Sequence, residues 1–418
     1  MAEAGIEATA TSTEERFLVR NFFGGIWHGA FLALGNALTH PGTVLAGFIA
    51  ILTGSTVWVG GLTTVLQVAN VLPQTLAARY IEPKKYKMPF LLAAIYIRVA
   101  SWGLLAWLIY VIGKGNPRLL EWVLVVLLAV FYAGGGFGGL PYTDIIGKVI
   151  PLNKRGAFFA TRAAVGGTLA FSSMALVRYV LKSKPYPTNY AMLFGLAAVS
   201  LFIASFGFLI IKEPPRPEGD SPVPPWSEYV AQLKRASKDL ADLVAVQMLT
   251  SFSLAVIPFY TVYGLKVMHA PVAAVARFGA AMLLGVLLAN FAWGWLVDAV
   301  GSREMLLAYG IVSVAAPILA ILLAPMGWQW LYVPLFLSGA ATSGSSVGFS
   351  SALLELAPVN LRATYTGVIS TLTLPQAAVP LLAGILLKVM SYDQVFLLAA
   401  AVTAIGGVWT LRLPKRDR

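Results

Sequence analysis

The chain has 418 residues, of which 58% are hydrophobic and 11% are charged, and its mean hydropathy is +0.77. A soluble domain carries about 25% charged residues, so this composition excludes a water-soluble globular protein. The formal net charge is +12, and the chain has no cysteine, which excludes disulfide bonds, thiolate metal sites and cysteine nucleophiles.

Apolar runs of about 20 residues recur along the chain, and each is long enough to cross a bilayer as a helix. We therefore predict an all-α polytopic membrane protein with twelve transmembrane helices. In chain order, the predicted spans cover residues 20–51, 56–79, 88–113, 118–149, 156–181, 189–211, 239–267, 272–297, 303–324, 328–357, 363–389 and 393–412.

The distribution of Lys and Arg predicts the orientation. These residues concentrate on the loops that lie inside when the N-terminus is cytoplasmic, so we expect a multi-pass protein of the cytoplasmic (inner) membrane with both termini in the cytoplasm. Residues 1–15 contain four glutamates and no basic residue, unlike the start of a signal peptide. Because the basic residues are scattered over short loops, they argue against a nucleic-acid partner.

A polar segment that begins at Lys212, "KEPPRPEGDSPVPPWSEYVAQLKRASKD", divides the spans into two groups of six. Its proline-rich start cannot be helical, whereas its amphipathic second part predicts a helix along the cytoplasmic interface. The predicted domains are a cytoplasmic tail (1–19), an N-terminal six-helix bundle (20–211), a linker with an interfacial helix (212–238), a C-terminal six-helix bundle (239–413) and a second tail (414–418).

The two halves resemble each other. "PLNKRGAFFA", which starts at Pro151, matches "PVNLRATYTG", which starts at Pro358, and each follows the fourth span of its half. Pro41 and Pro258 also occupy corresponding places in the first and seventh spans. This pattern indicates parallel internal repeats, which are common in transporters.

Two segments are rich in small residues: "AGGGFGGLPY" in the fourth span and "SGAATSGSSVGFSS" in the tenth. We interpret both as surfaces that let helices approach closely. A phosphate-binding glycine loop would need a preceding strand, which the pattern does not contain.

Two motifs carry a family resemblance. "GWLVDAVGSR", from Gly294 to Arg303, resembles the cytoplasmic signature of the major facilitator superfamily, and "ELAPVNLRATYTG", from Glu355 to Gly367, resembles its Glu-Pro-Arg-Gly pattern. The first half departs from the pattern, since Lys148 stands where Glu355 stands in the second half. The resemblance implies two pseudo-symmetric six-helix bundles, a cavity lined by the first, fourth, seventh and tenth spans, and transport by alternating access.

The resemblance also implies a gate. Asp298, Arg303, Glu355 and Arg362 fall at the cytoplasmic ends of spans in the second half. We expect them to form ion pairs that close the inner side and break when the halves rock apart. Ordinary interfacial snorkelling is the alternative interpretation.

Polar residues inside the spans are the candidates for solute binding or coupling, because such groups are costly in a membrane. On the first span, Asn36 and His40 are spaced to share one helical face, and His40 is a candidate proton carrier. Alternatively, both residues satisfy backbone carbonyls freed by Pro41. His28 is a second histidine candidate.

On the seventh and eleventh spans, Gln247, Tyr260 and Gln376 are the further candidates. A tyrosine in a cavity can stack on a solute and bond to it. An aromatic pair at the outer interface, formed with Tyr263, is the alternative.

Asp144 and Arg162 lie nine residues before and after Asn153, in a turn between two predicted helices. This count places both charges at one depth and predicts an ion pair, with Arg98 close enough to share the carboxylate. Two arginines and one aspartate leave one positive charge, which favours an anionic or strongly hydrogen-bonding solute. The alternative is that the pair only locks the two helices together.

We therefore predict a monomeric secondary transporter that moves a small organic solute by alternating access, with the proton as coupling ion and without cofactor or bound metal. Export is expected by analogy with similar bacterial members. An intramembrane enzyme would need a metal cluster or a nucleophile–base pair, which the scattered histidines do not offer. A non-transporting assembly or scaffold factor of the same fold stays an alternative.

Overall fold

The computed structural model describes residues 2–81, 84–214, 226–358 and 362–415, and the regular secondary structure in these ranges is helical. The α-helices are α1 (Ala2–Leu38), α2 (Ala46–Thr53), α3 (Thr56–Ile81), α4 (Met88–Ile112), α5 (Pro117–Val149), α6 (Leu152–Ser183), α7 (Thr188–Ile210), α8 (Trp226–Asp239), α9 (Ala241–Ala255), α10 (Ile257–Lys266), α11 (Ala274–Val300), α12 (Ser302–Leu322), α13 (Tyr332–Leu356), α14 (Arg362–Leu372), α15 (Val379–Leu386) and α16 (Tyr392–Trp409).

The helices match the predicted membrane spans. Within the described ranges, eleven helical segments are long and apolar enough to cross a bilayer. The remaining predicted span is α13, which has 25 residues but whose glycine, serine and threonine residues lower its hydropathy. Helices suit a bilayer because they satisfy their own backbone hydrogen bonds. The predicted fold class, an all-α polytopic membrane protein, is confirmed.

Proline residues break the first, seventh and eleventh spans. A π-helical turn over Pro41–Leu45 separates α1 from α2. Pro258 lies in the first turn of α10, just after the break from α9, and Pro375 lies in a 3-10 turn over Leu374–Ala378 between α14 and α15. Proline lacks an N–H and clashes with the preceding turn, so each of these spans becomes a pair of shorter helices.

The chain forms two compact units. Unit 1 contains Met1–Thr39 and Ala69–Ser221, and unit 2 contains His40–Val68 and Pro222–Arg418. This grouping differs from the predicted division at the linker, because residues 40–68 pack with the second half of the chain.

Three hydrogen bonds hold residues 40–68 within unit 2, and each ends on a glycine carbonyl oxygen. The Thr261 hydroxyl donates to Gly42 at 2.8 Å, and the Lys266 ammonium group donates to Gly54 at 2.5 Å. In the third bond, the Thr56 hydroxyl donates to the carbonyl oxygen of Gly384 at 2.9 Å.

Glycine allows close helix packing in each unit. In unit 1, a Cβ atom at Gly136 of α5 would overlap the carbonyl oxygen of Asn70 on α3. In unit 2, a Cβ atom at Gly339 of α13 would overlap the carbonyl oxygen of Met282 on α11. The two small-residue segments are therefore helix-packing surfaces, as predicted.

The amphipathic helix predicted in the linker is α8, and its end is fixed to unit 2. Ala236 near its C-terminus and Leu240 just after it are fully buried in a cluster that includes Tyr365 of α14. The Tyr365 hydroxyl group also donates a hydrogen bond to the carboxylate of Asp239. This end of α8 is thus anchored by both apolar and polar contacts.

Candidate functional site

Asp144 belongs to a compact network of four charges in unit 1. Its carboxylate lies 3.1 Å from the Lys87 ammonium group and 2.7 Å from that of Lys148. Lys148 also pairs with Glu213 at 3.0 Å, and Glu213 accepts the backbone N–H groups of Lys87 and Met88 at the start of α4. An anion at a helix N-terminus is favourable because it meets unsatisfied N–H groups and the positive end of the helix dipole. The four charges balance, and the network ties α4 and α5 to the end of α7.

The predicted Asp144–Arg162 ion pair is therefore wrong. The helical count was centred on Asn153, but α6 already begins at Leu152, so the turn lies earlier in the chain. Counted from the turn, Arg162 is therefore further along α6 than Asp144 is along α5. Arg162 donates a hydrogen bond to Tyr142 of α5 instead. The expectation that Arg98 shares the Asp144 carboxylate is also wrong, because the two lysines occupy it.

Arg162 of α6 is held against an aromatic ring. Its guanidinium group donates a hydrogen bond to the Tyr142 hydroxyl at 2.6 Å and lies 4.9 Å from the centre of that ring. A Cβ atom at Gly29 of α1 would overlap the Arg162 side chain, so glycine there makes room for the arginine. The Nε atom of Arg162 is buried and has no hydrogen-bond partner in the described part of the chain.

His28 of α1 lies beside this arginine site. Its ring centre is 6.3 Å from that of Tyr142 and 4.5 Å from that of Phe208 on α7. The side chain is buried, and its Nδ1 atom has no partner among the described residues. Arg162 lies next to it on the same side of α1, since a Cβ atom at the neighbouring Gly29 would overlap the Arg162 side chain.

Arg98 of α4 has a similar environment. Its guanidinium group stacks 4.5 Å above the ring centre of Phe131, and its side chain runs along α5 at Gly134. Its Nε atom is buried without a partner. Within the described ranges, neither Arg98 nor Arg162 forms an ion pair with a carboxylate.

Asn36 lies within α1, which ends at Leu38, and His40 lies beyond that end, so the two residues do not belong to one continuous helix as the spacing predicted. Asn36 is exposed on α1. The His40 ring nitrogen Nδ1 lies 3.4 Å from the Thr43 hydroxyl group, and the His40 carbonyl accepts the Thr43 N–H. His40 thus stabilises the turn that Pro41 begins.

The candidates in unit 2 have different degrees of burial. The Oε1 atom of Gln247 on α9 is buried with no partner in the described residues. Tyr260 on α10 is fully buried, with its ring 4.8 Å from that of Phe396, so it is part of the core. Gln376 lies in the 3-10 turn that interrupts the eleventh span and is half-buried.

The signature segment makes a turn between α11 and α12. Gly301 has φ 98°, a left-handed conformation that favours glycine, which explains the glycine of the motif. Asp298 is exposed at the end of α11. Arg303 pairs with its neighbour Glu304 at 3.6 Å and donates to the carbonyl oxygen of Leu411 at 2.9 Å.

Of the other two gate candidates, Glu355 lies at the end of α13 and Arg362 at the start of α14. Glu355 accepts a hydrogen bond from the Ser302 hydroxyl group at the start of α12. The side chain of Arg362 lies outside the described part of the structure. The predicted ion pairs among the gate residues are thus replaced, for Arg303 and Glu355, by other partners.

Sequence reasoning missed Tyr142, Lys87 and Glu213 as partners of the charged residues. One signal was present, because Asp144 and Lys148 have the spacing of four residues that favours helical ion pairs. Glu213 is 126 residues from Lys87 in the chain, and no local pattern connects them.

Comparisons with known proteins agree with this architecture. The family model described as the Major Facilitator Superfamily matches residues 58–374 and 243–418, which together cover most of the chain. No curated protein matches the chain in sequence.

Several solved transporter structures are similar. A POT family transporter in complex with 5-aminolevulinic acid has 14% identity and a TM-score of 0.71, with 95% of each chain covered. The nucleoside transporter NupG has 13% identity and a TM-score of 0.71, with 94% of this chain and 100% of that chain covered. The xylose transporter XylE from E. coli, in an inward-open conformation, has 13% identity and a TM-score of 0.69, with 97% of each chain covered.

At these identities the structural likeness shows the fold, and the family model shows the membership. The motifs, the apolar helices and the broken first and seventh spans are consistent with both. The chain belongs to the Major Facilitator Superfamily, and it is a multi-pass membrane transporter rather than an enzyme.

Proposed function

We propose that this transporter moves a small organic solute by alternating access and couples the movement to protons. The observation that carries the proposal is a set of buried polar atoms without partners in the described residues, all inside apolar helices. Among them are Nε of Arg98 and Arg162, Nδ1 of His28, Oε1 of Gln247 and the hydroxyl oxygen of Tyr260. Unsatisfied polar atoms are costly in hydrocarbon, and in membrane proteins such groups mark the paths of solutes and ions.

The broken helices support the same proposal. A break exposes backbone groups that a continuous helix would satisfy, and transporters use such breaks to contact solutes and ions. Gln376 lies in one of these breaks, and Asn36 lies one turn before another. Both are proposed to contact the solute, while the fully buried Tyr260 acts by supporting α10.

A histidine is proposed to carry the coupling proton. Two lysine ammonium groups already balance the charge of Asp144, which leaves that carboxylate poorly suited to carry a proton. His40, at the break in the first span, keeps the predicted role. His28 is the second candidate, because its buried Nδ1 atom has no partner in the described residues.

The inner gate is assigned to Asp298, Arg303, Glu355 and Arg362, which exchange partners during the cycle. The charge reversal Asp298→Lys is expected to favour the inward-open state, because it adds a cation to the charges whose pairing closes the inner side. Cross-linking of introduced cysteine pairs at the cytoplasmic ends measures this, since the native chain has no cysteine. Unchanged cross-linking in the variant would remove Asp298 from the gate.

Transport assays in proteoliposomes test the proposal. We expect solute movement that follows an imposed pH gradient and stops when a protonophore collapses it, with export as the direction in cells. His40→Ala is expected to flatten the pH dependence, and His28→Ala is the matched comparison. A ligand that stabilises the protein but never crosses the bilayer would contradict transport and favour a scaffold.

A further inference from the structure

We propose that Arg162, Arg98 and Tyr142 recognise a carboxylate, and that the transported solute is therefore an organic anion. This inference rests on the proposed function and adds the chemical class of the solute.

The first step is the charge balance of unit 1. Where the structure describes the side chains of this unit, the acidic residues are Glu121, Asp144 and Glu213. Lysines pair with Asp144 and Glu213, and Glu121 lies at the opposite end of α5, in its second turn. Arg98 and Arg162 therefore lack a carboxylate in this part of the unit, although both lie inside predicted membrane spans. Arginine is rare at such depth unless it is paired or functional.

The second step is the geometry of the orphan donors. The Nε atoms of both arginines are buried without a partner in the described residues, although buried N–H groups in proteins are nearly always bonded. The central carbon of each guanidinium group lies over an aromatic ring, 4.5 Å from the centre of Phe131 for Arg98 and 4.9 Å from that of Tyr142 for Arg162. Such a contact holds the charged group in place without using up all of its N–H donors.

Third, the hydroxyl group of Tyr142 offers a further hydrogen-bond donor beside Arg162. It accepts the hydrogen bond from Arg162, so its own O–H proton remains available for another acceptor. Together, the guanidinium group and the Tyr142 O–H offer several hydrogen-bond donors to a ligand. Neither requires the ligand to bring a donor of its own. An anionic oxygen group complements this set, and a carboxylate fits the planar fork in two parallel bonds.

The fourth step is the relation between the two arginines. Both arginines contact α5, Arg98 at Phe131 and Gly134 and Arg162 at Tyr142, and Arg162 also lies against α1 at Gly29, next to His28. The cluster thus has two positive charges, where the sequence alone predicted one, because Asp144 is engaged elsewhere. We infer that a solute carboxylate restores part of the missing negative charge when it binds.

Binding to the full-length protein in detergent provides the test, with succinate and lactate as carboxylate probes and their neutral amides as controls. We expect the acids to raise the melting temperature and the amides to have no effect. Inorganic phosphate is a separate arm, and stabilisation by phosphate alone would assign the positive cluster to phosphates and overturn the carboxylate proposal.

Variants then locate the site. Arg162→Gln is expected to weaken succinate or lactate binding at least tenfold, and Arg98→Gln to weaken it several-fold. Arg178→Gln is the matched control, because Arg178 is an exposed arginine on the same helix as Arg162. If Arg162→Gln fails to fold, Tyr142→Phe keeps the ring under the guanidinium and is expected to weaken binding three- to tenfold.

The outcomes separate this inference from the proposed function. Transport of a neutral or cationic solute at full rate in Arg162→Gln would overturn the anion site and leave the transporter assignment intact. Failure of all the acids to stabilise the wild-type protein would also overturn it. Binding of the acids without movement across proteoliposomes would support the site and contradict the proposed transport.

Discussion

Unit 1 contains two groups of charged residues, one with carboxylate partners and one without them in the described residues. In the first, Lys87, Asp144, Lys148 and Glu213 form a balanced network whose ammonium groups all have carboxylate partners. In the second, Arg98 and Arg162 contact aromatic rings and keep buried Nε atoms without partners in the described residues. Because the same unit provides both, the lack of partners at the arginines is not a general feature of its interior. A complete network indicates a structural role, and an incomplete one indicates a missing ligand.

The largest effect is expected when the balanced network is broken. Glu213→Ala removes one of the two carboxylate partners of Lys148, which leaves the network with one uncompensated positive charge, and it removes the acceptor of two N–H groups at the start of α4. The side chain of Glu213 is only 4% exposed, so we expect a loss of about 3–5 kcal/mol of stability, as for other buried pairs that lose one partner. Thermal unfolding in detergent measures it.

Glu121→Ala is the matched control for that experiment, because Glu121 forms no ion pair with the described residues. A change within about 0.5 kcal/mol is expected there, as for most surface substitutions. Equal destabilisation by the two variants would show that the ion pair and hydrogen bonds of Glu213 do not account for the loss of stability.

A smaller effect is expected for the coupling energies between pairs of charged residues. Asp144→Asn and Lys148→Met remove two ends of one ion pair, so their effects on stability are expected to differ from additivity by about 1–3 kcal/mol. Asp144→Asn and Arg162→Ala touch different groups and are expected to add within about 0.5 kcal/mol. A double-mutant cycle measures both values, and strong coupling between Asp144 and Arg162 would restore the ion pair that the structure contradicts.

The smallest effect is expected at the arginines themselves. Arg98→Met removes an uncompensated charge but also a desolvated contact with the Phe131 ring, worth about 2 kcal/mol. The two contributions oppose each other, so the stability of the ligand-free protein is expected to change by less than about 1 kcal/mol. A loss comparable to that of Glu213→Ala would show that Arg98 holds the fold together.

The sequence was a good guide to the elements and a poor guide to the partners. Apolar runs long enough to cross a bilayer predicted the spans, and Pro41 indicated that backbone carbonyls are freed in the first span, because both signals act within one helix. Partners across helices depend on where each turn begins. A shift of the turn to the start of α6 was enough to replace Asp144 by Tyr142 as the neighbour of Arg162.

The resemblance to the family was informative for a similar reason. The motif from Gly294 to Arg303 is local, and the left-handed conformation of Gly301 explains one of its two glycines in physical terms. The proposed solute site has no local motif, since it brings together residues of α1, α4, α5 and α6. Only the assembled helices reveal that Arg162 lies against Tyr142 of α5 and Gly29 of α1.

The three glycine carbonyls that hold residues 40–68 in unit 2 have a consequence for how this protein tolerates mutation. A side-chain substitution does not remove a main-chain oxygen, so the three acceptors would persist in any variant. Each glycine is nevertheless constrained for a separate reason. A Cβ atom at Gly42 would lie 2.9 Å from Ile257, one at Gly384 would lie 2.5 Å from the carbonyl oxygen of Thr56, and Gly54 has φ 65°. Saturation mutagenesis should therefore find these glycines nearly irreplaceable, while serine should substitute for the donor Thr56.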